Sequence, residues 1–553
     1  MTIDSLPTVI RTLPAGALLC LFGAWQVAHA QTSIPHLRQH GETMQLVVDG
    51  EPMLMLGGEL GNSSASSLEY MAPIWPKLGD LNLNTVLAPV YWELIEPDEG
   101  RFDFDLIDGL IEQARANEMR LVLLWFGSWK NSMSSYVPAW VKRDQERFPR
   151  AERTDGTGME MLTPFSEANV AADGRAFVAL MRHLREVDGN EHTVVMIQVE
   201  NEIGMIPEAR DHSDAANAAY AGDVPAILLD YLQAHRESLH PHVEQRWSSS
   251  DFATSGNWVD VFGEGIQTEE LFMAWYYARY VERIAAAGKA AYPLPMYVNA
   301  ALIRPNYQPG AYSSAGPLPH LIDVWRAGAP SIDFLAPDIY FPNFVEWVRA
   351  YDRPGNPLFI PEVGRASWAT MASDAFYAIG AHDAMGYSPF SIEDAPSDGP
   401  LGQAYDVLHQ LMPLILEHQG RGTMAGVHPP VSFDGTIDES PQAVQLGDYV
   451  LEVSFTDPWT PHDRQTIDSH GGLIIALDDD TFIVAGTGLT LTFVPYGPGD
   501  PIAGIERIEE GTFVDGEWRA GRVLNGDQSH QGRHLRLPPG EAGIQRVKLY
   551  RYR

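Results

Sequence analysis

The chain has 553 residues, 45% of them hydrophobic, with 73 Asp and Glu against 37 Lys and Arg, a formal charge of −36. So acidic a surface repels phosphate backbones and anionic lipid, which excludes nucleic acid as a partner and disfavours polyanionic substrates. The length exceeds the ~250–300 residues at which one core stops growing, so more than one domain is expected.

The amino terminus reads as an export signal over residues 1–30. Arg11 supplies a positive charge, Leu13 to Val27 is mostly apolar, and Ala28-His29-Ala30 places small residues before Gln31. Exported, periplasmic or secreted, is the expected location. The single cysteine, Cys20, lies in this segment behind Leu19, so a lipoprotein cleavage site is not expected. The mature chain then has no disulfide, no thiolate metal site and no cysteine nucleophile. No other segment reaches the ~18 apolar residues of a membrane span, so membrane insertion is not expected.

Met44 to Gly50 reads as a strand ending in an Asp-Gly turn. Strand-like and helix-like segments then alternate, which predicts a (β/α)8 barrel over residues 31–420. The eight strands are Pro52 to Gly58, Thr85 to Tyr91, Arg120 to Phe126, Val194 to Val199, Met296 to Asn299, Phe334 to Tyr340, Pro357 to Pro361 and Gly386 to Ile392. Amphipathic runs such as Leu106 to Asn117 and Gly174 to Val187 separate them. The long gap between strands four and five is expected to hold two helices and a loop over the mouth. A helix from Tyr405 to about Glu417, with Pro413 as a candidate kink, closes the barrel. Residues 421–553 then change to alternating β-branched segments between Gly, Asp and Pro, an all-β sandwich. The acidic turn Asp478-Asp479-Asp480 in it reads as a solvated hairpin tip.

Two apolar runs end in acids. Val194 to Ile197 runs into Glu200, Asn201 and Glu202, and Leu358-Phe-Ile-Pro runs into Glu362. Acids at the carboxyl ends of buried parallel strands are costly unless they are hydrogen-bonded or used. A pair of carboxyls ~5–5.5 Å apart is what glycoside hydrolysis with retention requires. Glu264, in Phe262-Gly-Glu-Gly, competes for the second place but precedes a helix rather than ending a strand.

The string Gln198-Val199-Glu200-Asn201-Glu202 with Gly204 resembles the acid/base motif of the retaining (β/α)8 glycosidases, most closely the family 35 β-galactosidases. Further likenesses are Leu46 to Pro52, the run Tyr91-Trp92-Glu93-Leu-Ile-Glu96-Pro97, shared with family 42 β-galactosidases, and Pro138-Ala-Trp140. The resemblance implies Glu202 as acid/base and Glu362 as nucleophile, with exo-acting release of β-galactosyl groups. Neither metal nor organic cofactor is expected, because two carboxyl groups suffice for the reaction and no convincing ligand cluster is visible. Tyr340 is placed to donate to Glu362, and Asn201 to bond the substrate 2-hydroxyl. Trp129-Lys130-Asn131 resembles a motif of a bacterial branch, some members of which act on galactosyl side chains of plant xyloglucan. Asn131 is then expected to bind galactose, and Trp129, Trp258, Phe262 and Trp275 to line a subsite beyond it. Glu59 and Asn62, at the exit of strand one, are expected to contact sugar hydroxyls, although Gly61 stands where that branch often has histidine.

Three other readings remain. A family 42 β-galactosidase or another β-glycosidase of the same clan is the alternative, although many family 42 enzymes carry a cysteine zinc cluster that this chain cannot build. A non-catalytic carbohydrate-binding barrel would lack one of the two acids, and both are present. A metal hydrolase lacks its His-Glu-x-x-His helix, and His240-Pro241-His242 follows a helix rather than a strand. The expected partner is a neutral carbohydrate; the sequence is silent on oligomeric state.

Overall fold

The computed structural model describes residues 33–553; the expected export signal, with Cys20, lies outside the described residues. A three-stranded antiparallel sheet (His36–His40, Thr43–Val48, Glu51–Met53) leads in. Its tight turn, Asp49-Gly50, has positive φ at both positions (55° and 89°), the geometry that matches the twist of a two-residue hairpin.

Eight parallel strands then close into a barrel: β1 (Met55–Glu59), β2 (Thr85–Tyr91), β3 (Arg120–Lys130), β4 (Val194–Asn201), β5 (Met296–Ala301), β6 (Phe334–Ile339), β7 (Ile360–Arg365) and β8 (Gly386–Phe390), with β8 pairing back onto β1. Barrel strands are covered on both faces, which is why β2 and β4 are buried along their whole length instead of alternating. Three strands depart most from expectation. β1 starts at Met55 rather than Pro52, because Pro52 and Met53 belong to the lead-in sheet. β3 continues past Phe126 to Lys130, and its register against β4 shifts between Trp125 and Lys130. β7 runs from Ile360 to Arg365 rather than Pro357 to Pro361, so Glu362 lies within the strand and not beyond its end.

The connection between β4 and β5 holds five helices rather than two: Asp214–Ala221, Ala226–Ala234, Pro241–Ser248, Trp258–Phe262 and Ile266–Ala291. The last and longest packs against helices Glu167–Val187 and Ile322–Gly328 on the outside of the barrel. Helix Pro400–His418 follows β8 and passes through Pro413 without ending there. Among the described residues, no helix is long and apolar enough to cross a membrane.

Beyond residue 420 the chain forms a sandwich of a six-stranded antiparallel sheet (in order Met424–Val427, Gly471–Ala476, Thr481–Thr487, Gly543–Tyr552, Ile502–Val514, Glu517–Leu524) and a four-stranded one. The strands Gly471–Ala476 and Thr481–Thr487 of the six-stranded sheet are buried on both faces. Ile474, Phe482, Val484 and Val547 point to the four-stranded sheet, while Leu473, Ile475, Ile483, Ala485 and Ile544 join the barrel core. Helix Met371–His382 lies close against its first strand, where a Cβ on Gly426 would come within 2.6 Å of the helix backbone at Tyr377 and Ala381. The sandwich therefore braces the helix that follows β7, and through it the strand that carries Glu362.

Candidate active site

β4 ends in an unusual backbone. Glu200 (φ 61°) and Glu202 (φ 45°) both adopt left-handed conformations, which cost a residue with a Cβ about 1–3 kcal/mol each and persist only where their surroundings hold them. The holding contacts are explicit. The Glu202 N–H donates to Asn299 Oδ1 of β5 at 2.9 Å, and the Glu202 carbonyl accepts from the Ser132 N–H at 3.1 Å. Asn131, itself left-handed, donates its side-chain amide to Glu202 Oε2.

Glu200 faces away from the mouth. Its Oε2 accepts the Trp129 N–H at 2.7 Å, and it forms a fully buried acid pair with Asp173, whose carboxylate accepts from Trp125 Nε1 and the Ser128 N–H. Burial pushes both acids up, their closeness adds to it for Glu200, and the pair fastens the irregular end of β3. Asp173 sits mid-helix, where nothing in the sequence marks it.

Glu202, Glu362 of β7 and Asp338 of β6 are brought together, with one carboxylate oxygen from each lying within 4.8 Å of the others. Asp338 pairs in register with Glu362 and accepts from Asn299 Nδ2 at 2.6 Å. Tyr340 donates its hydroxyl to Glu362 Oε1. Glu59 at the end of β1 and Lys130 at the end of β3 complete the pocket, both buried, with the Lys130 ammonium also 5.2 Å from the centre of the Phe126 ring. Four carboxyl groups thus surround one cation.

The electrostatics follow from that crowding. Burial, and then the neighbouring Glu362 carboxylate, raise Glu202 to about 7, against a smaller opposing pull from Lys130. Burial also drives Glu59 and Asp338 well above the carboxylate range, with Glu362 again the next cause. Burial alone would lower Lys130, but the carboxylates of Glu362, Glu202, Glu59 and Asp338 outweigh it and its ammonium is held charged. Among the described residues, Glu202, Asp338 and Glu362 are the one set of His, Cys, Asp and Glu side chains close enough to share an ion, so His240 and His242 build no ligand set. Within the pocket Lys130 already supplies the counter-charge a cation would bring.

Several buried polar atoms here have no protein partner: both oxygens of Glu59, both side-chain atoms of Asn201, Asp338 Oδ1 and Glu362 Oε2. Unpaired buried polar atoms are costly, and a ring of them around two acids fits a ligand rich in hydroxyls.

Not every expected residue joins this cluster. Trp129 is fully buried and packs edge-on against Tyr277 and Tyr280 of helix Ile266–Ala291, so it braces the barrel wall instead of lining a subsite. The register shift in β3 turns it outward while Lys130, next in sequence, faces the pocket. Trp258, Phe262 and Trp275 are likewise buried, Trp258 packing on Phe262 and Phe272 within the insertion. Glu264 is exposed on the insertion, away from the strand ends. Asn62 gives its carbonyl to the Tyr91 hydroxyl at 2.7 Å and leaves its own side-chain oxygen buried without a partner. Gly61 has a reason to lack a side chain: its N–H is clasped by the Glu393 carboxylate after β8, and a Cβ would lie 2.9 Å from Glu393 Oε1.

A parallel barrel with one glutamate just past β4 and another on β7 resembles the arrangement expected of barrel glycosidases. Comparison with known proteins points the same way. Residues 75–259 match the family model for the glycoside hydrolase 42 β-galactosidases, and residues 401–536 match a domain of unknown function, DUF5597. The matching model is thus that of the alternative reading, family 42, and family 35 is not supported. A curated β-galactosidase from Xanthomonas manihotis is 28% identical over 222 residues, a stretch spanning 38% of this chain and 33% of that one. Solved structures with a similar barrel include the cold-adapted β-galactosidase from Rahnella sp. R3 (TM-score 0.44, 16% identity, covering 69% of this chain and 58% of that one) and the β-galactosidase from the psychrophilic Marinomonas ef1 (TM-score 0.45, 12% identity, 65% and 60%). Residues 75–259 are thus similar in sequence to part of a glycoside hydrolase of the β-galactosidase kind.

Proposed function

We propose that this protein is a retaining β-galactosidase that removes terminal galactosyl groups by double displacement. The observation that carries the reading is the approach of the Glu202 and Glu362 carboxylates to within 4.8 Å at the mouth of a parallel barrel. That closeness suits direct attack on the sugar better than the ~6.5–9.5 Å carboxyl separation that admits the water of an inverting enzyme. Glu362 attacks the anomeric carbon while Glu202 protonates the departing oxygen. Water then opens the glycosyl ester with Glu202 as base. A carboxyl raised to about 7 can hold a proton near neutral pH and release it in the transition state. Tyr340 steadies the nucleophile, and Asn201, Glu59, Lys130 and Asn131 offer polar contacts to sugar hydroxyls.

The choice of galactose rests on the match of residues 75–259 to the β-galactosidase model. As aglycone we propose plant cell-wall oligosaccharides such as galactosylated xyloglucan, on the likeness of Trp129-Lys130-Asn131 to its bacterial branch; the burial of Trp129, Trp258 and Trp275 removes the aromatic subsite as support for it. Export by cleavage after Ala30 is also proposed, and Gln31 as the first residue of protein from the native host is its test.

The test of activity is a panel of aryl β-glycosides followed by proton NMR of the first-formed sugar. Galactoside turnover with the β-anomer released first is expected. Initial α-product would overturn the mechanism, and preference for another sugar would move the reading to a different β-glycosidase of the same clan.

A further inference from the structure

Asp338 has no part in two-carboxylate hydrolysis, yet it stands in the pocket beside both catalytic candidates. It is buried at the end of β6, and its Oδ2 accepts from Asn299 Nδ2 at 2.6 Å. The other end of that amide accepts the Glu202 N–H at 2.9 Å, so one asparagine fixes Asp338 and the backbone of Glu202 together. Asp338 Oδ1 has no partner, and one oxygen of the Asp338 carboxyl lies within 4.8 Å of one oxygen each of Glu202 and Glu362. Two carboxyl oxygens in such contact repel unless one carries hydrogen.

Resting on the β-galactosidase reading above, we propose that Asp338 is a positioning residue that keeps its own proton throughout the cycle and donates a hydrogen bond to Glu202 whenever Glu202 is anionic. In the first step the Glu202 proton passes to the departing oxygen as the C1–O bond breaks and the Glu362–C1 bond forms. The Asp338 O–H then satisfies the new Glu202 carboxylate. In the second step water adds to C1, its proton returns to Glu202, and the ester bond to Glu362 breaks. Asp338 ends as it began. The groups facing it are Glu202 just past β4, Glu362 of β7, Glu59 of β1, Lys130 of β3, Tyr297 of β5, Tyr340 just past β6 and Tyr351 of helix Phe344–Tyr351. Burial and three carboxylates against one ammonium favour the neutral acid, in the direction seen for this residue.

Two substitutions separate this role from that of a fixed negative charge. Asp338→Asn is neutral and keeps an N–H donor, whereas Asp338→Ala removes the donor. The expected kcat/KM is within about tenfold of wild type for Asn, with the alkaline limb of its pH profile in place. For Ala it is lower by about a hundredfold, the scale of a lost hydrogen bond to a charged group, with that limb moved to higher pH. An alkaline limb that moves to lower pH in Asp338→Asn would mean that Asp338 is ionised and would overturn the proposal, as would equal loss in both variants or none in Ala. Infrared difference spectra of wild type against Asp338→Asn, with 13C-labelled aspartate, read the proton without turnover. A protonated-carboxyl band lost in the variant supports the proposal, and its absence from wild type at neutral pH overturns it. If no glycoside is turned over, the functional reading fails while the infrared result still decides the state of Asp338.

Discussion

Replacing Glu202 by Gln is expected to stabilise the protein at alkaline pH. Glu202 releases its proton at about 7 in the folded protein, against an ordinary value of 4.5. Between those pH values the folded state therefore binds more protons than the unfolded chain, and stability falls as pH rises. The gap is about 2.5 pH units, and at 1.36 kcal/mol per unit it amounts to about 3 kcal/mol. Only 5% of the residue is exposed, so solvent screens little of this. Glutamine keeps the size and an acceptor oxygen for the Asn131 amide but cannot ionise. Urea unfolding at about pH 8 should show the variant more stable by up to about 3 kcal/mol, and at about pH 4, below both values, the two proteins should be alike. The other raised acids are common to both, so they largely cancel. Equal stability at both pH values, or a wild type more stable at pH 8, would show that Glu202 is not held protonated by its surroundings.

Three further outcomes are expected. Glu362→Gln should lose nearly all turnover, since an amide cannot form the glycosyl ester, and added azide should restore activity with α-galactosyl azide as product; rescue of Glu264→Gln instead would move the nucleophile. Tyr340→Phe should lower kcat/KM about 10- to 100-fold, the range of one hydrogen bond to a charged group, with Tm little changed. Trp129→Ala should lower stability by about 3–5 kcal/mol, as other buried Trp truncations do, and leave KM near wild type; a large rise in KM without loss of Tm would return Trp129 to the pocket.

The parts of the site that were legible are those where a strand obeys simple rules. Glu202 and Glu362 each follow an apolar run, and Tyr340 stands at the end of a third. Asp338 was readable from the same rule, because two residues before Tyr340 on one strand lies on one face, but a single Asp before an Ile-Tyr gave no separate signal. Asn299 is the same case on β5. Trp129 was misplaced because the register shift in β3 breaks the alternation on which any assignment of faces depends. The insertion was misjudged since its short helices are held by packing against the barrel and not by a strong period of their own. The Glu200–Asp173 pair joins a strand to a distant helix, a contact no local pattern contains. In the sandwich, Gly471–Ala476 and Thr481–Thr487 are runs of buried residues rather than alternating ones because the barrel covers their second face.

The most direct test of the central claim is to treat the enzyme with an activated 2-deoxy-2-fluoro-β-galactoside, which slows opening of the glycosyl ester, and to map the labelled peptide by mass spectrometry. The account predicts one fluorogalactosyl group per chain, on Glu362, with activity returning as the ester turns over. A label on Glu264, on Asp338 or on no residue, under conditions where the enzyme hydrolyses β-galactosides, would contradict it.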